Sequence, residues 1–445
     1  MSPARCGILF DTLTVSAFMT LAKIMGAAKA AALARVFGSG AALDAYLLAF
    51  LVPSFFADVF CGPLVPALVP KFVELEYRKD LGEMVDLYAH VLRRSLRYSC
   101  NAAVVLAGGA AAVATLGPAN GHANLHILGT LTLLMTPILP LAAVANVWRA
   151  VLNARRCFAI PAFTVTLTPA VVILCILLAG RGGGIWILAA GTSLASFAEA
   201  AVLGVGLRRI GFPILPQQRE REYSLHQVRT EYRYLAATTA MSAGTILIGQ
   251  SMAAALGSGS VSILNYGTRL AGVLMAIGPA ALSVTILPRF SHMVAARDWG
   301  RLKQSLWRIL LGSLVAAGAI AVLLITLSTP IVRLTLQRGA FTAADTRAVA
   351  SVQACSLLQL PFIVGIAILM RVLSALKANR ALLPFSSAVL VLSTGLNYAL
   401  MTRYGVAGIA LASSFVQALF FVALATLVFR HGPKGFLKYC GADVA

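Results

Sequence analysis

The sequence predicts an all-α polytopic membrane protein, with about twelve transmembrane helices in two parallel-repeat six-helix lobes around a central cavity. Three observations predict it: long apolar blocks, a one-sided distribution of basic residues between them, and an internal repeat.

The apolar blocks come first. Of 445 residues, 59% are hydrophobic and 11% charged, with a mean hydropathy of +0.86. A soluble domain carries about 25% charged residues. A block of roughly 18 or more apolar residues can cross a bilayer. Backbone groups in lipid must bond within their own segment, so each block reads as a helix. The short alternation of a membrane barrel is absent. Twelve segments lie near 12–36, 44–70, 98–116, 127–148, 160–180, 185–207, 234–256, 261–288, 309–332, 349–370, 383–401 and 406–429.

The charge distribution comes second. The net charge is +21. In a chain this apolar, cationic loops set topology, and no nucleic-acid partner is implied. Of the 36 Lys and Arg residues, 27 fall in the head, the tail and alternate loops, six in the other loops, and three within segments. The richest loops are 71–97, 149–156, 208–233, 289–308 and 371–380. Both termini are therefore expected in the cytoplasm.

The repeat comes third. Phe37-Gly38-Ser39-Gly40 recurs as Leu256-Gly257-Ser258-Gly259, Pro70-Lys71-Phe72 as Pro288-Arg289-Phe290, and the turn from Arg149 to Pro161 as that from Arg371 to Pro384. Six helices per half give both halves one orientation, as parallel repeats related by an axis along the membrane normal. The expected organisation is an N-terminal lobe over 1–210, a cytoplasmic linker over 211–233 that includes an amphipathic surface helix, and a C-terminal lobe over 234–445. Pro53, Pro63 and Pro66 interrupt the second segment, and Gly278 and Pro279 its counterpart. Such breaks either mark a substrate path or reflect the tolerance of membrane helices for Pro and Gly.

The candidate functional residues are ionisable groups inside the segments, because a cation at mid-bilayer costs about 2.5–3.5 kcal/mol on insertion scales. These are Lys23, Lys29 and Arg269. Their bland alternative is snorkelling to an interface or pairing with an acid. Lys23 and Lys29, six residues apart, point about 120° apart on a straight helix, so sharing one cavity needs a bend near Gly26. The acids are Asp44, Asp58 and Glu199. Asp44 either meets a cavity cation or caps the second helix. Asp58 is a candidate partner for Lys23 or Lys29, or an ion-coupling acid. Glu199 stands alone, as an ion-coupling acid or a helix-packing hydrogen bond.

Enzymatic readings find little support. The seven cysteines are scattered, with no Cys-x-x-Cys pair. His122 and His126 have zinc-compatible spacing, but in a glycine-containing loop without a third ligand. No Gly-Lys-Ser/Thr phosphate loop is present. The expectation is a transporter without a metal, cofactor or catalytic residue. The N-terminus shows no signal-peptide cleavage site.

Several stretches together resemble a known family. They are Arg35-Val36-Phe37-Gly38 with Asp44-Ala45-Tyr46 and Pro53, Gly257 to Ser262 with Asn265-Tyr266-Gly267-Thr268-Arg269-Leu270, Ile286 to Ser291, and Gln337-Arg338-Gly339-Ala340-Phe341-Thr342 with Asp345-Thr346. From about 12 to 430 the chain resembles the MviN/MurJ lipid II flippases of the multidrug/oligosaccharidyl-lipid/polysaccharide exporter superfamily. The resemblance implies alternating-access transport of an undecaprenyl-diphosphate-linked peptidoglycan precursor across the bacterial inner membrane. It implies a cation-lined cavity for the diphosphate, with Arg269 as the cavity arginine, and function as a monomer among membrane lipids. The chain departs from the family pattern at Lys29, where the following acid is replaced by Ala30, at Ala57-Asp58, where the family has an arginine pair, and at Gly272, where it has an acid. The family has fourteen helices, and here the sequence ends after the twelfth. A flippase for another polyprenyl-diphosphate-linked glycan, an ion-coupled multidrug exporter and a non-transporting scaffold are the rival readings.

Overall fold

A computed structural model describes residues 3–116, 125–179, 184–214, 226–275, 290, 299–375 and 382–439. Among these residues there are helices and no strands. The middle of the linker (215–225), the Gly278–Pro279 break and the Pro288–Arg289 part of the repeat lie outside them. The chain divides into two compact units, Met1–Leu247 and Ile248–Ala445.

The first unit begins with α1 (Pro3–Phe37) and α2 (Ala41–Cys61). Between them, Gly38 at φ +63° donates its N–H to the Ala34 carbonyl at 2.9 Å. This left-handed position suits glycine, which has no Cβ to clash. Gly257, the counterpart in the repeat, also has positive φ, at +111°. The second segment breaks at Gly62-Pro63 and continues as α3 (Leu64–Tyr77), with Pro53 inside α2 and Pro66 inside α3. Next come α4 (Leu81–Leu116), α5 (Leu125–Met135) and α6 (Ile138–Ala154). Then follow α7 (Ala159–Thr164), α8 (Leu167–Ala179) and α9 (Gly184–Arg209). Its core is apolar: Leu68, Phe72, Leu75, Met84 and Tyr88 pack with Val147, Val151 and Leu203. The segment after α9 is tied down by aromatic contacts. Tyr88 donates to the Ile214 carbonyl at 2.8 Å, the Trp148 indole donates to the Tyr88 hydroxyl at 2.9 Å, and the Tyr88 ring meets Phe212 edge-on.

From α10 (His226–Ala254) the chain passes into the second unit. There follow α11 (Ser260–Met275), α12 (Trp299–Thr326), α13 (Ser328–Leu336), α14 (Ala343–Leu357), α15 (Leu360–Ala375) and α16 (Leu382–Tyr439). Leu302, Leu306 and Leu310 of α12 pack with Val364, Ile368 and Val372 of α15 and with Leu424. The Gln337–Thr346 motif is a helix start. Thr342 accepts from the Asp345 backbone N–H, and the Asp345 carboxylate accepts from the Thr342 N–H, a reciprocal capping box. Phe341 then meets Tyr266 of α11 edge-to-face, at 5.7 Å between ring centroids. A Cβ on the neighbouring Gly267 would run into Val352 of α14, so this close approach requires glycine.

Nine described helices or helix pairs are long and apolar enough to cross a membrane. One of them, Ser387–Phe429, has 43 residues. At about 1.5 Å per residue it would be roughly twice the ~30 Å hydrocarbon thickness. It is instead a hairpin. Gly405 has φ +58°, and a Cβ on Gly408 would strike the backbone carbonyl of Leu400 eight residues earlier. Such contact is possible only if the chain has turned back, giving two segments at the places expected from hydropathy.

The stretch 71–97, expected as a loop, is different. It is helical except for a short turn, because α3 runs on to Tyr77 and α4 starts at Leu81. Hydropathy marks where a helix leaves the apolar layer. It does not mark where the helix ends, since Leu, Met, Glu and Arg are all good helix formers. For the same reason Arg149, expected in a loop, lies inside α6.

Candidate functional site

The ionisable residues within the spans define the candidate site. Arg269 sits on α11, whose buried face carries Tyr266, Gly267, Leu270 and Ala271. Its guanidinium is exposed, and its Nε donates to Asn265 Oδ1 at 2.8 Å. A residue four positions earlier lies on the same helix face, so Asn265 fixes the direction of the arginine fork. Among the described residues the outer edge of the fork meets no acceptor. A guanidinium held this way suits two oxygens of a phosphate.

Lys23 and Lys29 are both on α1, which is helical through Gly26. Lys23 is exposed beside Ile24 and Leu21, while Lys29 is half-buried. Their different burial agrees with the angular offset expected on a straight helix.

Asp44 is 7% exposed. It does not cap α2: the cap position is Gly40, and Asp44 lies a turn further in, its N–H bonded to the Gly40 carbonyl at 3.0 Å. Its charge still stands near the positive end of the helix dipole. Tyr46, two residues on, donates to or accepts from Thr192 at 2.8 Å, linking α2 to α9. Asp58 is exposed near the end of α2 and makes no ion pair with Lys23 or Lys29.

Glu199 is not alone. It pairs with Arg149 of α6, both side chains largely buried at 16% and 23% exposure. The Arg149 guanidinium also reaches Asn146 Oδ1 at 3.4 Å. The sequence does not reveal the pair, because Arg149 follows directly on an apolar block and hydropathy predicts a loop there. Asn265 was missed too, although its spacing from Arg269 is readable. Gln353, Ser356, Ser393 and Asn397 were also missed: these buried residues of the second unit have polar side-chain atoms without hydrogen-bond partners among the described residues. No group of three metal-ligating side chains occurs among the described residues.

The helices form a polytopic α-helical membrane fold, one that a flippase and a multidrug exporter of known structure share. A lipid II flippase MurJ in an inward closed conformation superposes with a TM-score of 0.79 at 21% identity, covering 96% of this chain and 90% of that one. An inward-facing multidrug resistance MATE transporter gives 0.79 at 12% identity, covering 94% and 96%. The family described as lipid II flippase MurJ matches residues 33–443, and the chain belongs to that family. Among curated relatives, the lipid II flippase MurJ of Burkholderia cenocepacia is 27% identical, covering 96% of this chain and 86% of the relative. A probable lipid II flippase MurJ of Synechocystis is 23% identical, covering 88% and 76%.

Proposed function

We propose that this chain translocates lipid II, the undecaprenyl-diphosphate-linked peptidoglycan precursor, from the inner to the outer leaflet by alternating access. The family match over 33–443 carries the reading. The reading assigns the diphosphate to Lys23, Lys29 and Arg269, with Asp44 balancing their charge and Asp58 as the ion-coupling acid. Glu199 enters only through its pair with Arg149. It takes 1–210 and 234–445 as lobes joined by the 211–233 linker. It places a monomer in the bacterial inner membrane with both termini in the cytoplasm, as the bias of basic residues favours.

The physical case is electrostatic. A diphosphate cannot cross hydrocarbon without fixed counter-charges, and an arginine already oriented by Asn265 loses little freedom on binding. A cationic drug would meet repulsion from the same groups, which disfavours multidrug export. The test is complementation of a bacterium depleted of its own flippase, together with leaflet exchange of labelled lipid II in proteoliposomes. Arg269→Ala is expected to insert normally and lose both activities. Wild-type vesicles that leave lipid II in its original leaflet would sink the reading.

A further inference from the structure

We infer that the first unit carries a docking site for an anionic glycerophospholipid of the surrounding bilayer, separate from the span residues assigned above. The site is an open cavity of about 470 Å³ lined by the end of α2, α3, the middle of α4 and the start of α10. That is within the ~300–1,000 Å³ range of small-molecule sites. The inference depends on membrane placement and not on what the chain carries.

The cavity is amphipathic along one direction. Its buried floor is apolar, with Leu64 and Leu68, and Ala102 lies deeper along α4 than Arg94. Its mouth carries Arg94, Arg229 and Arg233, all exposed. No Asp or Glu lines it, and none of the three arginines makes an ion pair among the described residues. Among the described residues, three like charges line an apolar hollow that holds no carboxylate of its own. Arg93 and Arg97, exposed on the same helix, add to the field. Surface arginines on a solvated helix would not need a hollow between them, whereas a lipid needs both parts.

The cavity walls are fixed. The Tyr232 hydroxyl donates to the Phe60 carbonyl at 2.9 Å, pinning α10 to the end of α2. Arg94 reaches the Tyr98 hydroxyl at 3.4 Å and lies over its ring, 5.7 Å from the centroid. Both tyrosines line the cavity, and a ring with a hydroxyl suits a membrane interface.

Depth decides the occupant. The 36 residues of α4 span about 54 Å, against ~30 Å of hydrocarbon, so its basic first part emerges from the apolar layer. Arg94 precedes the apolar stretch that starts near 98 by only about 6 Å. That places the arginines at headgroup level and Ala102, about 12 Å further along α4, beside acyl chains. A soluble anion would use the mouth alone. A phosphodiester with an acyl chain uses both, and basic clusters next to membrane helices attract anionic lipids.

The test is native mass spectrometry of the full chain with equimolar phosphatidylglycerol and phosphatidylcholine. The wild type is expected to retain phosphatidylglycerol at least about tenfold better. The Arg94→Gln/Arg229→Gln/Arg233→Gln variant is expected to lose that preference. A variant with Arg333, Arg338 and Arg347 changed to Gln, matched in charge but in the second unit, is expected to keep it. Ala102→Trp, which fills the deeper end and leaves every charge in place, is expected to weaken retention, with folding checked by the thermal unfolding midpoint. Equal retention of the two lipids, an unaffected triple variant at the cavity, or equal binding of glycerophosphoglycerol without acyl chains would each overturn the inference. The last outcome would mean a soluble-anion site.

Discussion

Ser193 and Ser414 hold the same post in the two halves of the chain. The Ser193 hydroxyl donates to the Leu134 carbonyl at 2.7 Å, and the Ser414 hydroxyl to the Cys355 carbonyl at 2.6 Å. The serines are 221 residues apart, and so are their acceptors. Each acceptor lies just before a break in a helix, between α5 and α6 in one unit and between α14 and α15 in the other. At the second break, the Gln359 N–H turns to the Ser356 carbonyl at 3.4 Å, leaving Cys355 for the serine. In lipid a freed carbonyl must find a donor, and a neighbouring helix supplies it.

Removing either hydroxyl should therefore cost stability by a similar amount. Ser193→Ala and Ser414→Ala are each expected to destabilise by about 0.6–1.5 kcal/mol, the range of hydrogen bonds between membrane helices. Denaturant unfolding in detergent reads this directly. A neutral result for both variants would mean that the carbonyls find other partners.

The Arg149–Glu199 pair makes a different prediction. Removing one partner leaves a largely buried charge uncompensated, so Arg149→Met or Glu199→Gln alone is expected to cost about 3 kcal/mol. The double variant should recover most of that loss. Transport assays on the double variant separate structure from coupling: full leaflet exchange assigns the pair to packing, and a stable but inactive protein assigns it to ion coupling.

Asn265 and Arg269 should differ in degree. Arg269→Ala is expected to abolish leaflet exchange. Arg269→Lys keeps the charge and loses the planar fork, so a partial, about tenfold, loss is expected. Asn265→Ala leaves the charge and releases its direction, and should reduce exchange less than Arg269→Ala does. The three rates, measured in one vesicle preparation at matched insertion, check the order.

The hairpin in α16 depends on Gly408. A methyl there meets the Leu400 backbone, which cannot rotate away as a side chain could. Gly408→Ala is expected to lower stability by about 1–3 kcal/mol, as overpacking does. Gly395→Ala, on the other arm of the hairpin with open space where its Cβ would go, serves as the control and should be near neutral.

Much of this was legible in the sequence. Apolar blocks revealed the membrane class, and the glycine motifs gave the repeat, since Gly38 and Gly257 both have the positive φ that calls for glycine. Arg269, Lys23 and Lys29 stand out as candidates in the sequence because a cation inside an apolar block is costly. Helix ends were not legible: 71–97 looked like a loop because charge was read as a break in structure. Pairings were not legible either. Glu199 finds Arg149 fifty residues away, and Ser414 finds Cys355 fifty-nine residues away.

By itself, the sequence determined that this chain spans a membrane as helices in two related halves, because hydropathy and backbone self-satisfaction act locally. Only the tertiary structure decided which polar groups are spent on one another, such as Arg149 with Glu199, and which stay exposed, such as Arg269. The reason is physical: the cost of burying a charge is set by its own segment, but its compensation comes from whichever helix packs against it.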